Sequence, residues 1–424
     1  MTKMKLKIPF SPPDMSEEEA KEIKEAILSG WITTGPRTKK LEAQISEYVG
    51  TVKTVCLSSA TAAMEMMLHL LDVEPEDEVI VPAYTYTATA SVTQHVGCRL
   101  VMVDSQKDHV EMDYEQLEQA ITERTKVIMP VDIAGIVADY DRVYEIVERK
   151  KSLFRPANAL QTKIGRIVVV ADCAHSFGAV RKGKKAGAIA DFSAFSFHAV
   201  KNFTTAEGGA LTWKLPFGNE IVPTDVDYMP TVPKIEDETW NEMLYRISQL
   251  FSLHGQNKDA LAKTKVGMWE YDIIGPWYKC NMTDIMASLG LVQMRRYPKM
   301  LDRRQEIVAR YNAALDGLNV VILNHKDAEH CSSHHLYMVR LPGKSREEVN
   351  RVMEQMAERG IATNVHFKPL PMMTAYKALG FDIADYPNAY HLFENEITLP
   401  LYTRLTDEEV DFVITNFVDI IKNL

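Results

Sequence analysis

The stretch Arg166-Ile-Val-Val-Val-Ala-Asp172 narrows the fold more than any other part of the sequence. Its β-branched residues run without polar alternation, so a strand built from them must be covered on both faces. Strands of that kind belong to parallel sheets enclosed between helices. Shorter apolar runs recur at Thr54–Leu57, Glu78–Pro82, Arg99–Asp104 and Lys126–Val131, and segments of helical periodicity, Tyr114–Ile121 and Tyr140–Lys150, lie between them. The alternation predicts βαβ units and a mostly parallel sheet. Ligands of such sheets sit beyond the carboxyl ends of the strands, which is where Asp172 falls.

The second constraint is a lysine in unusual company. In Ser193-Ala-Phe-Ser-Phe-His-Ala-Val-Lys-Asn-Phe-Thr-Thr-Ala-Glu-Gly-Gly209, Lys201 is the only lysine or arginine between Lys185 and Lys214. Residues 192 to 197 read as a strand with Phe195 and Phe197 on one face and Ser196 on the other. Gly208 and Gly209 mark a tight turn before a further strand, Ala210–Trp213. An amine held among apolar and hydroxyl side chains loses hydration, its pKa falls, and it becomes a nucleophile toward carbonyls. A carboxylate at the end of a neighbouring strand can hold a pyridinium nitrogen protonated, so that the ring acts as an electron sink. Taken singly, Lys201 reads as a solvated surface residue and Asp172 as the cap of a turn. Together they fit a pyridoxal phosphate site.

Three motifs then carry a family resemblance: Asp172-Cys-Ala-His175-Ser-Phe-Gly178, Phe195-Ser-Phe-His-Ala-Val-Lys201-Asn, and Thr204-Thr-Ala-Glu-Gly-Gly209. The chain resembles the DegT/DnrJ/EryC1/StrS sugar aminotransferases from Trp31-Ile-Thr-Thr-Gly-Pro36 to Leu399-Pro-Leu401. The resemblance implies a fold-type-I pyridoxal phosphate (PLP, and in its amine form PMP) transferase: a large α/β domain with a mostly parallel seven-stranded sheet flanked by helices, and a smaller C-terminal α+β domain. It makes Lys201 and Asp172 catalytic. It gives the phosphate to Ser196 and to the amides of Ser59, Ala60 and Thr61, the ring face to Tyr86 with Tyr84 as the competing choice, and the ring hydroxyl to His175. Asn281 is implied to reach the cofactor phosphate of a partner subunit, and with it a homodimer with shared active sites. On the residues alone, Ser59 reads equally as a helix N-cap, and for Asn281 the N-cap is the favoured reading. Ala60 stands where the family has glycine, and Ile136 and Val137 where it has Gln-Pro.

The implied reaction moves an amino group from an amino acid, with L-glutamate the expected donor, to the keto group of a nucleotide-linked 4-keto-6-deoxy sugar. The alternatives are a cyclitol or aromatic acceptor, a PMP-dependent dehydratase, or a non-catalytic homologue. Dehydratases of this fold carry histidine at the lysine position, and His198 lies three residues before it. His335-Leu-Tyr and His366-Phe-Lys-Pro369 match further landmarks facing the site, without assigned chemistry.

At 424 residues the chain has room for two domains, expected at 1–253 and 254–424, the second with strands Leu336–Leu341 and Ile361–His366. A net charge of −10 without a basic stripe excludes a nucleic-acid surface; the Arg181–Lys185 run is broken by glycine and reads as a solvated turn. Five scattered cysteines without a CxxC pair fit reduced thiols. No apolar run approaches a membrane span, and Met1–Phe10 lacks the apolar core of a signal peptide, so a cytoplasmic protein is expected. His330, Cys331, His334 and His335 lack the spacing of a zinc site, and no metal is predicted. Ser16 and Glu19 form a capping box for a helix ending near Gly30. Residues 152–165 read as a polar loop and 216–238 as an irregular excursion.

Overall fold

The computed structural model describes residues 7–257 and 270–424. The first part of the Met1–Phe10 segment therefore lies outside the described residues. The apolar runs become a seven-stranded sheet of β1 (Lys53–Leu57), β2 (Glu78–Pro82), β3 (Arg99–Val103), β4 (Thr125–Ile128), β5 (Val168–Asp172), β6 (Phe192–Ser196) and β7 (Gly209–Trp213). The order across the sheet is β1-β7-β6-β5-β4-β2-β3, and β7 alone runs against its neighbours.

The central strand shows why its run is continuously apolar. Val168 and Val170 enter one core with Met64, Met67 and Leu211, whereas Val169 and Ala171 enter another with Ile45, Val143 and Ile146. A two-sided strand has no solvent face on which a polar residue could sit. Full burial of each valine stabilises the fold by roughly 1.5–3 kcal/mol.

Four helices frame the site: α1 (Glu17–Leu28), α2 (Pro36–Val49), α3 (Ala60–Leu70) and α4 (Thr87–Val96). The capping box forms at α1, where Ser16 N–H donates to the Glu19 carboxylate at 2.8 Å. Glu19 also receives Gln293 at 2.8 Å and Arg296 at 2.6 Å, which pins α1 to the long helix Asp284–Leu315.

Strands Val321–Ile322, Tyr337–Arg340 and Glu396–Leu399 make a small antiparallel sheet packed by helices Arg346–Glu358 and Asp407–Lys422 around a core of its own. We propose that the two domains, 1–253 and 254–424, are joined through the long helix. Its Ala287 and Leu291 pack against the large sheet, and its Ile307, Tyr311 and Leu315 belong to the small core.

Three local expectations change. Residues 152–165 hold a short helix, Ala159–Ile164, with Asn158 as its cap and Leu160 and Ile164 buried, because its two apolar residues reach the large core. Ile361–His366 is not a strand. Ile361 bridges Ile8 while Asn364 bridges Thr398, so its pairing is split between two partners. Arg181–Lys185 is no free turn but a hairpin, Val180–Arg181 with Lys184–Lys185, joined by His330–Cys331. The 216–238 excursion contains no helix or strand, and its Tyr228 hydroxyl donates to the Leu70 carbonyl. Among the described residues no helix is long and apolar enough to cross a membrane.

Candidate active site

β5 and β6 run parallel with Asp172 beside Ala194, so the ends of both strands open onto one place. Phe195 and Phe197 point into the core and pack against Phe177 at 5.0 and 5.5 Å between ring centroids. That anchoring turns Ser196 the other way, toward a cavity of about 390 Å³. Beyond it the chain folds back on itself: Phe197 N–H donates to the Gly208 carbonyl, and Thr205 N–H to the Phe197 carbonyl, each at 2.9 Å. Asn202 locks the loop from outside, donating to the Ser333 carbonyl at 2.7 Å while its Oδ1 pairs with His335 Nδ1 at 2.8 Å. Lys201, between these clamps, lines the cavity.

Lys201 is half-buried, and among the described residues no carboxylate forms an ion pair with it. Burial lowers its pKa to about 8, against the opposing pull of Asp172. The fraction of neutral amine at pH 7 is then about one tenth, several hundred times that of a solvated lysine. Asp172 is itself raised, by burial first, while Thr89 Oγ1 at 2.7 Å, Ala174 N–H at 3.0 Å and Lys201 favour its charge. It therefore caps the turn with one oxygen, as one of its sequence readings has it, and also lines the cavity.

The N-terminus of α3 forms a second wall. Ser59 Oγ accepts from Ala62 N–H at 3.0 Å, the ordinary cap, which leaves the Ala60 and Thr61 amides at the positive end of the helix. Such an end binds phosphate. Access to it depends on Gly209: a Cβ there would lie 2.3 Å from the Ser59 carbonyl carbon and 2.5 Å from Ala60 N. Ala60 is an ordinary helical residue, so the departure from glycine costs nothing in backbone conformation.

Ser59, Ala60, Thr61, Tyr86, Asp172, His175, Ser196 and Lys201 all line this cavity. The choice between tyrosines is separated by burial. Tyr84 is fully buried with its hydroxyl donating to the His366 carbonyl at 2.5 Å, whereas Tyr86 is 63% exposed at the cavity rim. His175 is half-buried, its pKa lowered by desolvation and then by Lys201, and its shielded Nδ1 has no hydrogen-bond partner among the described residues.

Asn281 does not line the chain's own cavity. It pairs with Leu57 and donates to Thr34 Oγ1 at 2.5 Å, in the Trp31–Pro36 loop, and Thr283 caps the following helix instead. The zinc candidates diverge: His330 pairs with Asp327 at 2.8 Å, His334 stacks on His325, and only His335 reaches the cavity. Among the described residues no three potential ligands gather. Phe10, Val131 and Phe367 line the cavity and Thr89 holds Asp172; apart from Phe367, which falls in the His366–Pro369 landmark, they carry no mark in the sequence. Thr89 is a further exception in part, since a hydroxyl one turn into the helix after Tyr86 is placed to face a strand end.

The site fits pyridoxal phosphate on three counts. An unpartnered buried ring nitrogen on His175 awaits a polar neighbour, the Gly209 cradle exposes two helix amides, and a neutralisable amine faces a buried carboxylate.

Comparison with known proteins leads to the same class. The profile of the DegT/DnrJ/EryC1/StrS aminotransferase family matches residues 13–418. The Bacillus subtilis (strain 168) spore coat polysaccharide biosynthesis protein SpsC is 33% identical over 423 residues, covering 98% of this chain and 97% of that one. The PMP form of Streptococcus pneumoniae Spr1654, provisionally assigned as a sugar aminotransferase, superposes with a TM-score of 0.90 at 56% identity, over 98% of this chain and 99% of that chain. Helicobacter pylori PseC, an aminotransferase involved in the biosynthesis of pseudoaminic acid, follows at 0.81 and 25% identity over 98% and 100%. The fold is thus that of the fold-type-I PLP-dependent aminotransferases. The chain belongs to the DegT/DnrJ/EryC1/StrS aminotransferase family and is a sugar aminotransferase that uses PLP.

Proposed function

We propose that the enzyme moves an amino group from L-glutamate to the keto carbon of a nucleotide-linked 4-keto-6-deoxy sugar. The observation that carries this reading is the meeting of Lys201, Asp172 and the α3 N-terminus in one cavity. PLP, when bound, supplies an electron sink for the bond electrons released at the amino acid's Cα. Lys201 would hold it through Nζ, and Asp172 would keep its ring nitrogen protonated. The Ala60 and Thr61 amides with Ser59 and Ser196 would receive the phosphate, Tyr86 one ring face, and His175 the ring hydroxyl. Released from the cofactor, Lys201 Nζ takes the proton from the donor carbon and returns it at the far end of the same transfer, as base and then acid. The second half-reaction runs the sequence backwards on the keto sugar.

Two relatives support the substrate class. SpsC is a spore coat polysaccharide biosynthesis protein, and PseC is an aminotransferase involved in the biosynthesis of pseudoaminic acid. Asn281, outside this chain's cavity, is proposed to serve a partner subunit's cofactor in a homodimer. The test is incubation with L-glutamate and a panel of nucleotide-linked keto sugars, followed by mass spectrometry. Exchange of the keto oxygen for an amine on a 4-keto-6-deoxy sugar is expected. Amination confined to cyclitol ketones would overturn the substrate reading.

A further inference from the structure

His366 enters the cavity from the small domain, and two buried side chains stand behind it. Glu396 and Thr398 lie two apart on one strand, so both face the same side. Glu396 Oε2 accepts from His366 N–H at 2.9 Å, and Oε1 lies 2.5 Å from Thr398 Oγ1. Thr398 Oγ1 in turn lies 2.9 Å from His366 Nδ1. Among the described residues, no protein group meets the other ring nitrogen, Nε2. Both Glu396 and Thr398 are wholly inaccessible to solvent.

A hydroxyl carries one hydrogen, so this chain can point only one way at a time. With Glu396 charged, Thr398 donates to it, His366 Nδ1–H donates to Thr398, and Nε2 offers the cavity a lone pair. With Glu396 neutral, its O–H donates to Thr398, Thr398 donates to Nδ1, and Nε2 carries the hydrogen. We propose that Glu396, Thr398 and His366 form a proton relay, in which the buried carboxyl determines whether His366 meets the substrate as a hydrogen-bond donor or acceptor. The balance is simple. A proton taken at Nε2 sends the Nδ1 proton to Thr398 Oγ1, and Thr398 sends its own to Glu396 Oε1. One proton enters from the cavity, one is stored, and the imidazole stays neutral.

The electrostatics favour storage on the carboxyl. Burial raises Glu396 to about 8, with Thr398, the His366 N–H and Arg346 opposing. Burial, and then Lys201, lower His366 to about 3. The other groups facing Glu396 make their hydrogen bonds elsewhere, and Arg340 Nε and Nη1 have no partner among the described residues. Arg346, from the covering helix, donates to the carbonyls of Phe393 at 3.1 Å and Glu396 at 2.7 Å. Arg340, opposite Glu396 on the next strand, pairs with Asp108 at 2.7 Å, and Tyr84 donates to the His366 carbonyl. At neutral pH His366 thus presents Nε2–H, a donor for an oxygen of the keto sugar. This last step rests on the proposed substrate class; the relay does not.

The test is nitrogen-15 NMR of the cofactor-loaded protein labelled at histidine, with His366 assigned through a His366→Gln variant. In the wild type the His366 hydrogen should move from Nε2 to Nδ1 as pH rises through about 8. Glu396→Gln, whose amide donates to Thr398 and cannot titrate, should keep it on Nε2 throughout. Thr398→Val should uncouple the two and lower kcat/KM for the keto sugar about tenfold, while the glutamate half-reaction keeps its rate. A His366 tautomer that ignores pH in the wild type, or that titrates alike in Glu396→Gln, would overturn the relay. A tautomer that switches as described in an enzyme that aminates no keto sugar upholds the relay and overturns the substrate reading instead.

Discussion

Replacing Lys201 with methionine should make the cofactor-free protein more stable, and by an amount that fades at high pH. The amine titrates near 8 in the fold instead of at 10.5 because burial withholds water from its charge. The unfolded chain therefore binds this proton more tightly than the folded one, and the fold bears the difference wherever the folded amine is still protonated. Below pH 8 the penalty is full; it disappears as pH rises toward 10.5. A shift of 10.5 − 8 = 2.5 at ~1.4 kcal/mol per unit gives about 3 kcal/mol at pH 7 and about 1 kcal/mol at pH 10. Partial exposure of the side chain reduces the first figure to about 2 kcal/mol. Lys201→Met is close in length and has no charge to desolvate. Denaturant unfolding of both cofactor-free proteins at the two pH values measures the difference. A variant less stable than wild type at pH 7, or one with the same gain at pH 10, would refute the claim that the amine is held in a desolvated, strained state for chemistry.

Other residues of the site give sharper local outcomes. Ala206 sits between Lys201 and the glycine pair with φ of +69°, a left-handed conformation that disfavours a side chain, so Ala206→Gly should stabilise by about 1 kcal/mol in thermal unfolding. Gly209→Ala should do the opposite and raise the dissociation constant for PLP at least tenfold by equilibrium titration, since its Cβ would meet Ser59 and Ala60 backbone at 2.3 and 2.5 Å. Asp172→Asn should keep the fold, removing a buried charge, but slow the glutamate half-reaction by more than about a hundredfold in stopped-flow absorbance, because an amide cannot hold a ring nitrogen protonated.

The parts of this molecule that could be read from the chain are those written in consecutive residues. The two-sided burial of β5 appears directly as Ile-Val-Val-Val, and the strand, turn and glycine pair around Lys201 occupy one continuous stretch. The meeting of His366 with Thr398 and Glu396 could not be read, since it forms only when two distant segments pair at Asn364 and Thr398. The failed strand at Ile361–His366 has the same cause: its alternation suits a strand, yet its two bridges go to different partners. Asn281 misled as a cap because Thr283, two residues on, takes that bond from Met286. Likewise the helix in 152–165 depended on Asn158 and on a core lying outside the segment.

The central claim is that Lys201 holds PLP and drives transamination, and the visible absorption spectrum tests it most directly. Purified protein loaded with PLP should show a visible band that is lost on adding L-glutamate and restored by a nucleotide-linked keto sugar. Lys201→Ala should bind the cofactor but complete neither change. A wild-type band indifferent to glutamate, or a Lys201→Ala protein that turns over, would contradict the account.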